Sequence, residues 1–420
     1  MIDVELFRKN PQIFKSEMEK RGLKINTSIG VELDRNKRDL IFKIDGLRFE
    51  KNLASKTLPG LKNEEKNKKI GLMKKLNKDL DKMEAELADL EGKFFKHFSM
   101  YPNLSHETTP VGKDESGNVV QSYYGSKPEF DFEPRNHNDL GVSLDVLDEK
   151  RAAKISGSRF VFLKNEAVLL EFALIQYVLN ILIRKGFAPL IPPFLVKEMA
   201  MYGTGFFPVE KTQYYKTELD DLFLIGTSEV PLCAYHSDEF LDASTLPLKY
   251  TAFSTCFRRE AGSYGKDLGG LFRVHQFDKI EMFVFAHPEN SWEEYEKLRE
   301  TLEEIMKGIG FHYQIVNMCT GDIGNPNAKK YDLEVWLPGQ KKYRELASCS
   351  HDTDFQARRL NIKYRDGKKK DFVHTMNSTA CAVGRTLIGI FENFQDKEGN
   401  IRIPEVLVPY MGGIKIISKK

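Results

Sequence analysis

The sequence predicts an α+β protein: an N-terminal antiparallel coiled-coil hairpin, then a larger domain built on an antiparallel β-sheet flanked by helices. Three observations carry this expectation. A heptad period runs through the first quarter of the chain. Short Phe-, Ile- and Val-rich runs, separated by Gly, Pro and Asn, fill most of the rest. Helical stretches interrupt those runs only sparsely, which favours antiparallel pairing over a doubly wound parallel sheet.

In the first quarter, Leu33, Leu40, Leu47 and Ala54 recur every seven residues. Thr57-Leu58-Pro59-Gly60 then stops the helix, because Pro lacks an amide donor and Gly is its poorest non-proline former. Beyond it, Met73, Leu76, Leu80, Met83, Leu87, Leu90 and Phe94 step alternately by three and four, an a/d seam. Two helices of about 30–40 residues would each run on the order of 50 Å. Each buries one seam only, so the hairpin is expected to project as an arm. Its charge is uneven: Lys51 to Lys82 holds ten lysines and four acids, net +6, while Met83 to Glu91 holds four acids and no base. A solvated coiled-coil surface is usually rich in Lys and Glu. A basic tip is also a sensible electrostatic footprint for nucleic acid.

Ser99 to Asn118, with Pro102, Pro110 and the Gly112–Gly117 stretch, reads as a linker. The expected domains are therefore 1–110 and 111–420. In the second, Val168 to Arg184 reads as an apolar helix, and Trp292–Ile309 and Thr386–Asn393 as two more. Leu222–Ile225, Phe272–Phe277, Met282–Phe285, Tyr331–Leu337 and Ala380–Val383 read as strands. With 41% hydrophobic and 30% charged residues, the chain is too apolar for disorder and too charged for a membrane bundle. No run of about 18 uncharged apolar residues is present, so no membrane span is expected. The opening MIDVELFRKN has no apolar core of a secretory signal. Five dispersed cysteines without a C-x-x-C pair argue against a disulfide framework and a zinc site, and for reduced, cytoplasmic thiols.

The densest chemistry lies in Cys256-Phe257-Arg258-Arg259-Glu260, then Ala261-Gly262-Ser263-Tyr264-Gly265, then Arg273 to Glu281. Two strand-like runs flank a Gly-rich loop, as in a hairpin. Arg258 and Arg273 at strand positions would be buried charges, which need an anionic partner. Arg, the ring of Phe277 and the carboxylate of Glu281 together suit a nucleotide: fork to phosphate, ring on base, carboxylate to amine. A structural salt-bridge network would use the same residues. Three weaker groups follow. In Gly384-Arg385-Thr386 a strand would enter a Gly turn and a helix would begin with Arg. Glu345-Leu346-Ala347-Ser348 offers oxygen ligands suited to magnesium. Thr227-Ser228-Glu229 follows a strand and would equally serve as a helix N-cap.

Together these residues resemble the seryl-tRNA synthetases of the bacterial type, a class II aminoacyl-tRNA synthetase family. Gly186-Phe187-Ala188-Pro189-Leu190-Ile191-Pro192-Pro193-Phe194-Leu195 is similar to motif 1, with Pro193 as its proline. Phe257 to Glu281 is similar to motif 2, and Gly384-Arg385 with the following helix to motif 3. Thr227-Ser228-Glu229 resembles the family's T-x-E loop. Ser348-Cys349-Ser350, Thr353 to Leu360 and Asn377-Ser378-Thr379 stand in family order, and the arm completes the pattern.

The resemblance implies serine activation by ATP and transfer of the seryl group to tRNA. Arg258 would grip the α-phosphate, Glu260 the adenine amine, and Arg273 and Arg385 the far phosphates. Phe277 would stack on adenine beside Val274. Arg258 and Arg385 would stabilise the charge of the reaction. Glu345 and Ser348 would ligate Mg2+, and no zinc is expected. Thr227, Ser228, Glu229, Arg258, Glu281, Asn377 and Thr379 would surround L-serine. The implied partners are serine tRNA, with selenocysteine tRNA as a further candidate, and a second copy of the chain in a homodimer formed through motif 1. The alternative is a catalytically silent synthetase-like RNA-binding protein. Two departures stand out. Asn377-Ser378-Thr379 replaces the usual N-G-S, so a methyl occupies space beside a hydroxyl. The family's S-C-S-N-C-T-D-F-Q reads S-C-S-H-D-T-D-F-Q here, which makes His351 an expected loop residue without assigned chemistry. No class I signature and no phosphate-loop lysine motif occurs, and Gly203-Thr204-Gly205 is only a fragment of a dinucleotide fingerprint.

Overall fold

A computed structural model describes residues 1–261 and 269–419, and the chain divides into two compact units, Met1–Tyr101 and Pro102–Lys420. The expected Gly262-Ser263-Tyr264-Gly265 loop lies outside the described residues.

In the first unit, α1 (Thr27–Thr57) and α2 (Asn63–Phe98) are joined through a 3-10 turn at Leu58–Gly60. Asn26 caps α1 by accepting from the Ser28 amide at 3.0 Å. Leu40, Ile44 and Leu80 are buried between the helices, with Leu47, Met83, Leu87 and Leu90 packed against them. Ile44 is the four-residue step that the plain heptad count passes over. Ion pairs Lys37–Glu91 (3.0 Å) and Arg48–Glu84 (2.8 Å) fix the sense: rising numbers on α1 meet falling numbers on α2. At the open end Phe7, Phe98 and Tyr101 form a ring cluster, with Phe7 and Phe98 edge-on at 5.0 Å.

The second unit begins earlier than the 110/111 division expected. The Asn103 amide donates to Asn325 O (2.8 Å), the His106 amide to Ala328 O (2.9 Å), and Thr109 Oγ1 to Ala328 O (2.9 Å). These backbone partners tie residues 102–110 to the second unit.

Its eight-stranded sheet comprises β1 (Val119–Tyr124), β2 (Ala188–Leu190), β3 (Leu248–Phe257), β4 (Gln276–Ala286), β5 (Tyr313–Asn317), β6 (Lys329–Leu337), β7 (Lys342–Thr353) and β8 (His374–Ala382). The order is β1-β5-β6-β7-β8-β4-β3-β2, and every pairing is antiparallel except β2 with β3. β3 and β4 form the expected hairpin, Leu248 opposite Phe285 and Phe257 opposite Gln276. β4 starts only at Gln276, so Arg273 precedes the strand instead of standing on it.

Three helices, α3 (Glu166–Arg184), α4 (Ser291–Ile309) and α5 (Val383–Asn393), cover one face. Leu170, Leu174 and Val178 of α3, Tyr295, Leu302 and Ile305 of α4, and Leu387 and Phe391 of α5 share one core with Ile280, Met282 and Val284 of β4. Each such side chain contributes about 1.5–3 kcal/mol on full burial. By length and composition α3 could cross a membrane, contrary to the sequence expectation, but its inward stripe is spent on this core. The alternation of β4 leaves Phe277, Lys279 and Glu281 on the opposite face.

Glu171 of α3 faces Asp278 beneath the sheet. Burial, then the neighbouring acid, pushes the Glu171 carboxyl up to about 8. A raised acid stabilises the fold while protonated, so its contribution is complete below the unfolded value near 4.5 and is lost as pH rises through about 8. Glu171→Gln should therefore flatten the fall in Tm between about pH 5 and 9. Calorimetry at several pH values checks this; parallel curves for the two proteins would refute it.

Candidate functional site

The exposed face of β4, β7 and β8 floors a cavity of about 330 Å³. Thr227, Glu229, Arg258, Glu260, Val274, Phe277, Glu281, Glu345, Ser348, Asn377, Thr379 and Arg385 all line it. Residues named from five separate stretches thus converge. Two do not line it. Ser228 is fully buried and its hydroxyl donates to Ala252 O at 3.4 Å. Arg273 pairs with Glu260 (3.2 Å) and lines a neighbouring cavity of about 560 Å³, to which Glu260 also belongs.

Arg258 follows the last residue of β3. Its amide donates to His275 O (3.0 Å) and its Nε to Gly226 O (3.1 Å). Its guanidinium lies 5.3 Å from the centre of the Phe277 ring. Among the described residues no carboxylate lies within ion-pair distance of it. Glu260 and Glu345 offset its burial from a distance, and a half-buried guanidinium with no carboxylate in contact marks a place for an anion. Phe277 and Arg258 face each other, as a base stacked on the ring and a phosphate on the fork would require.

A local irregularity makes the Glu345–Ser348 pair possible. In a regular strand, residues three apart point to opposite faces. Here Leu333 pairs with Ala347 but Glu334 with Glu345, so Leu346 is an extra residue, a β-bulge. The bulge returns Glu345 and Ser348 to one face. β8 runs directly into α5 with no Gly turn between, so Arg385 stands in the first helical turn. Its Nη1 donates to Glu345 O (2.9 Å) and Oε2 (3.0 Å). Burial would raise the Glu345 carboxyl, but Arg385, Lys330 and Arg258 outweigh it and hold it at about 2.

The other end is acidic. Thr227 Oγ1 donates to Glu281 Oε2 (3.2 Å) and accepts from the Glu229 amide (3.1 Å). Gln356 Nε2 donates to Glu229 Oε1 (2.9 Å) while its own Oε1 accepts from Thr375 Oγ1 (2.7 Å). Burial first, then Asp352 and Glu281, pushes Glu229 well above the usual carboxylate range. Lys279 pairs with Glu281.

Sequence reasoning missed five contributors: Lys279, Lys330, Asn327, Asp352 and Gln356. Lys279 was findable, since it sits midway between Phe277 and Glu281 at the strand period. Lys330, paired with Asp332 at 2.9 Å, carries no local motif. His351 is a strand residue, not a loop residue: it is fully buried and stacked on Trp292 with ring centres 3.9 Å apart. Gly205, at φ 97°, ends a helix over Glu198–Thr204, so the Gly203-Thr204-Gly205 fragment is a helix terminus.

No group of three His, Cys, Asp or Glu side chains suited to a metal is found among the described residues. Glu345 and Ser348 supply one carboxylate and one hydroxyl. That set suits magnesium only as a partner of substrate phosphates, the usual manner in which this ion is held.

Residues 1–105 match the Seryl-tRNA synthetase N-terminal domain, and residues 209–394 the tRNA synthetase class II core domain (G, H, P, S and T). Over 98% of its length, and 99% of the relative's, the chain is 43% identical to the serine–tRNA ligase of Thermodesulfovibrio yellowstonii. The chain belongs to the seryl-tRNA synthetase family. Family members of known structure agree. The seryl-tRNA synthetase of Pyrococcus horikoshii, solved with ATP, is 40% identical, with a TM-score of 0.93 and full coverage of both chains. The cytoplasmic serine–tRNA ligase of Naegleria fowleri, solved with AMP, is 35% identical, with a TM-score of 0.88 over 100% of this chain and 99% of that one.

An unpaired guanidinium should be a liability to the empty fold. Arg258→Met should leave stability unchanged or raise it by up to about 2 kcal/mol. Denaturant unfolding of the ligand-free protein measures this, and a clear loss of stability would show that Arg258 is already satisfied within the chain.

Proposed function

We propose that this synthetase joins L-serine to ATP, releasing pyrophosphate, and passes the seryl group to the 3′-terminal ribose of serine tRNA. The observation that carries this is the division of one cavity. Arg258, Arg385 and Lys330 gather at one end with Phe277, and Glu229 and Glu281 at the other, with Asp352 buried behind Asn327 and Asn377. Phosphates suit the first end and an ammonium the second.

In this reading the serine carboxylate attacks the α-phosphorus in line. The new O–P bond forms as the bond to the β-phosphate oxygen breaks, and pyrophosphate leaves with that electron pair. Arg258 stabilises the charge on the α-phosphate, Phe277 and Val274 hold the adenine, and Arg385 steadies the far phosphates. Glu260 would take the adenine amine, with Arg273 paired behind it at 3.2 Å. Mg2+ held by Glu345, Ser348 and the phosphates would neutralise phosphate charge. The chain's own part is mostly orientation and preorganised charge. Thr227, Glu229, Glu281, Asn377 and Thr379 surround the serine ammonium and hydroxyl. Alanine, lacking the hydroxyl, would leave buried polar groups unpaired, and threonine would bring an extra methyl against Thr379.

The helical hairpin with its Lys51–Lys82 basic stretch supports a tRNA-binding role for the first unit, through backbone and shape. Exposed Leu169, Phe172 and Ile183 on α3, with Ile191 83% exposed in the motif 1 stretch, support a homodimer. Five free, buried thiols suit a reducing cytoplasm.

Serine-dependent ATP–pyrophosphate exchange tests the reading. Serine should far exceed alanine and threonine; equal exchange with all three would overturn the substrate assignment. Arg258→Ala should lower the exchange rate by about 10²-fold or more, and an unchanged rate would remove it from the site. Replacing Leu33–Leu90 by a short linker should preserve exchange and abolish most tRNA charging. Loss of both together would contradict a separate tRNA-binding role.

A further inference from the structure

Asp352 is fully buried at the end of β7 and takes no part in the steps above. His351 pairs with Met376 and Thr353 with Thr375, so Asp352 is the extra residue of a β-bulge. Thr353, just after it, adopts φ 47°, a left-handed conformation uncommon for a β-branched residue. The strand is bent here at a conformational cost, and the outcome is a carboxylate aimed at two amides. Asn327 Nδ2 donates to Oδ1 at 2.7 Å, and Asn377 Nδ2 to Oδ2 at 3.0 Å. Both asparagines line the cavity.

The two amide bonds favour the ionised form of Asp352 against burial, and a carboxylate only accepts, so both amides turn their NH2 groups toward it. The Asn327 carbonyl is then engaged by the Gly324 amide at 3.1 Å. Asn377 has no such second tether, and its carbonyl oxygen is the group left for the cavity. We propose that Asp352 is a positioning residue, fixing the Asn377 amide with its oxygen toward the acidic end of the cavity, where it accepts a hydrogen bond from the serine ammonium. This rests on the serine reading above.

Asp352→Asn tests it with almost no change in volume. The new amide can accept from one asparagine only, and its own NH2 confronts the other. Asn327 is held by Gly324, so Asn377 should flip and present an N–H to an ammonium. KM for serine in pyrophosphate exchange should rise about tenfold or more, with KM for ATP within about twofold. The exchange Asp352→Asn with Asn377→Asp restores the pattern: the amide introduced on β7 donates to the carboxylate introduced on β8, still accepts from Asn327, and an oxygen again faces the cavity. That double variant should recover serine KM to within about threefold of the parent. A general packing role would not be rescued in this way, and Tm of each variant reports folding separately. Unchanged serine KM in Asp352→Asn, or a folded double variant as poor as the single one, would overturn the inference while leaving the serine reading intact. A parent protein with no serine-dependent exchange would overturn both.

Discussion

Charge held away from water is the constraint on which the catalytic half of this molecule depends. The cavity gathers Arg258, Lys279, Lys330 and Arg385 with Glu229, Glu281 and Glu345, and Asp352 lies behind its wall. In the interior such groups are tolerable only if opposite charges or hydrogen bonds compensate them. The consequence is visible in the acids. Glu345, among Arg385, Lys330 and Arg258, is held at about 2 against the effect of burial. Asp352, with only neutral amides for company, is lifted by burial to about 7. Two carboxylates on one strand are thereby made different, one held low by surrounding cations and one lifted by burial. Placement of the cations does this, not the residue type.

The sheet is what allows such placement. One side of β4 presents Ile280, Met282 and Val284 to the helices, and the other presents Phe277, Lys279 and Glu281 to the cavity. Strict alternation would make every strand serve both faces equally, whatever the chemistry needed. The bulges at Leu346 and Asp352, and a third between Thr379 and Cys381, interrupt that alternation on the strands that carry the site. Each is an extra residue that re-aims a neighbour without breaking the sheet. The hydrophobic core stays continuous behind the floor while polar groups are set on it one at a time.

Much of this was legible in the sequence, for reasons that can be named. The helical hairpin was readable because its seam is the main buried surface those helices have, so the period is unmixed. Arg258, Phe277 and Glu281 were readable because a guanidinium and a carboxylate in strand-like runs demand an explanation. What escaped depended on the bulges or on distant partners. Asp352 looks like a departure in a motif until the extra residue is seen to turn it onto Asn327 and Asn377. Arg273 looked like a strand residue, yet β4 begins three residues later, and its guanidinium meets Glu260 instead of the shared cavity. Ser228, between two cavity-lining neighbours, turns away from the cavity and donates to the Ala252 carbonyl.

The acidic end also explains why an ammonium would be welcome there and not merely tolerated. Among the described residues, Glu229 and Glu281 share one cation, Lys279, and Asp352 has only its two amides. Burial, then Asp352 and Glu281, drives Glu229 upward, and burial alone lifts Asp352. On the proposed reading an entering ammonium would supply a further positive charge and favour the ionised acids, linking binding to ionisation. A neutral amine or a hydroxyl alone would leave the protons where they are. On that reading discrimination at this end would begin with charge, and shape would act on those molecules that bring it.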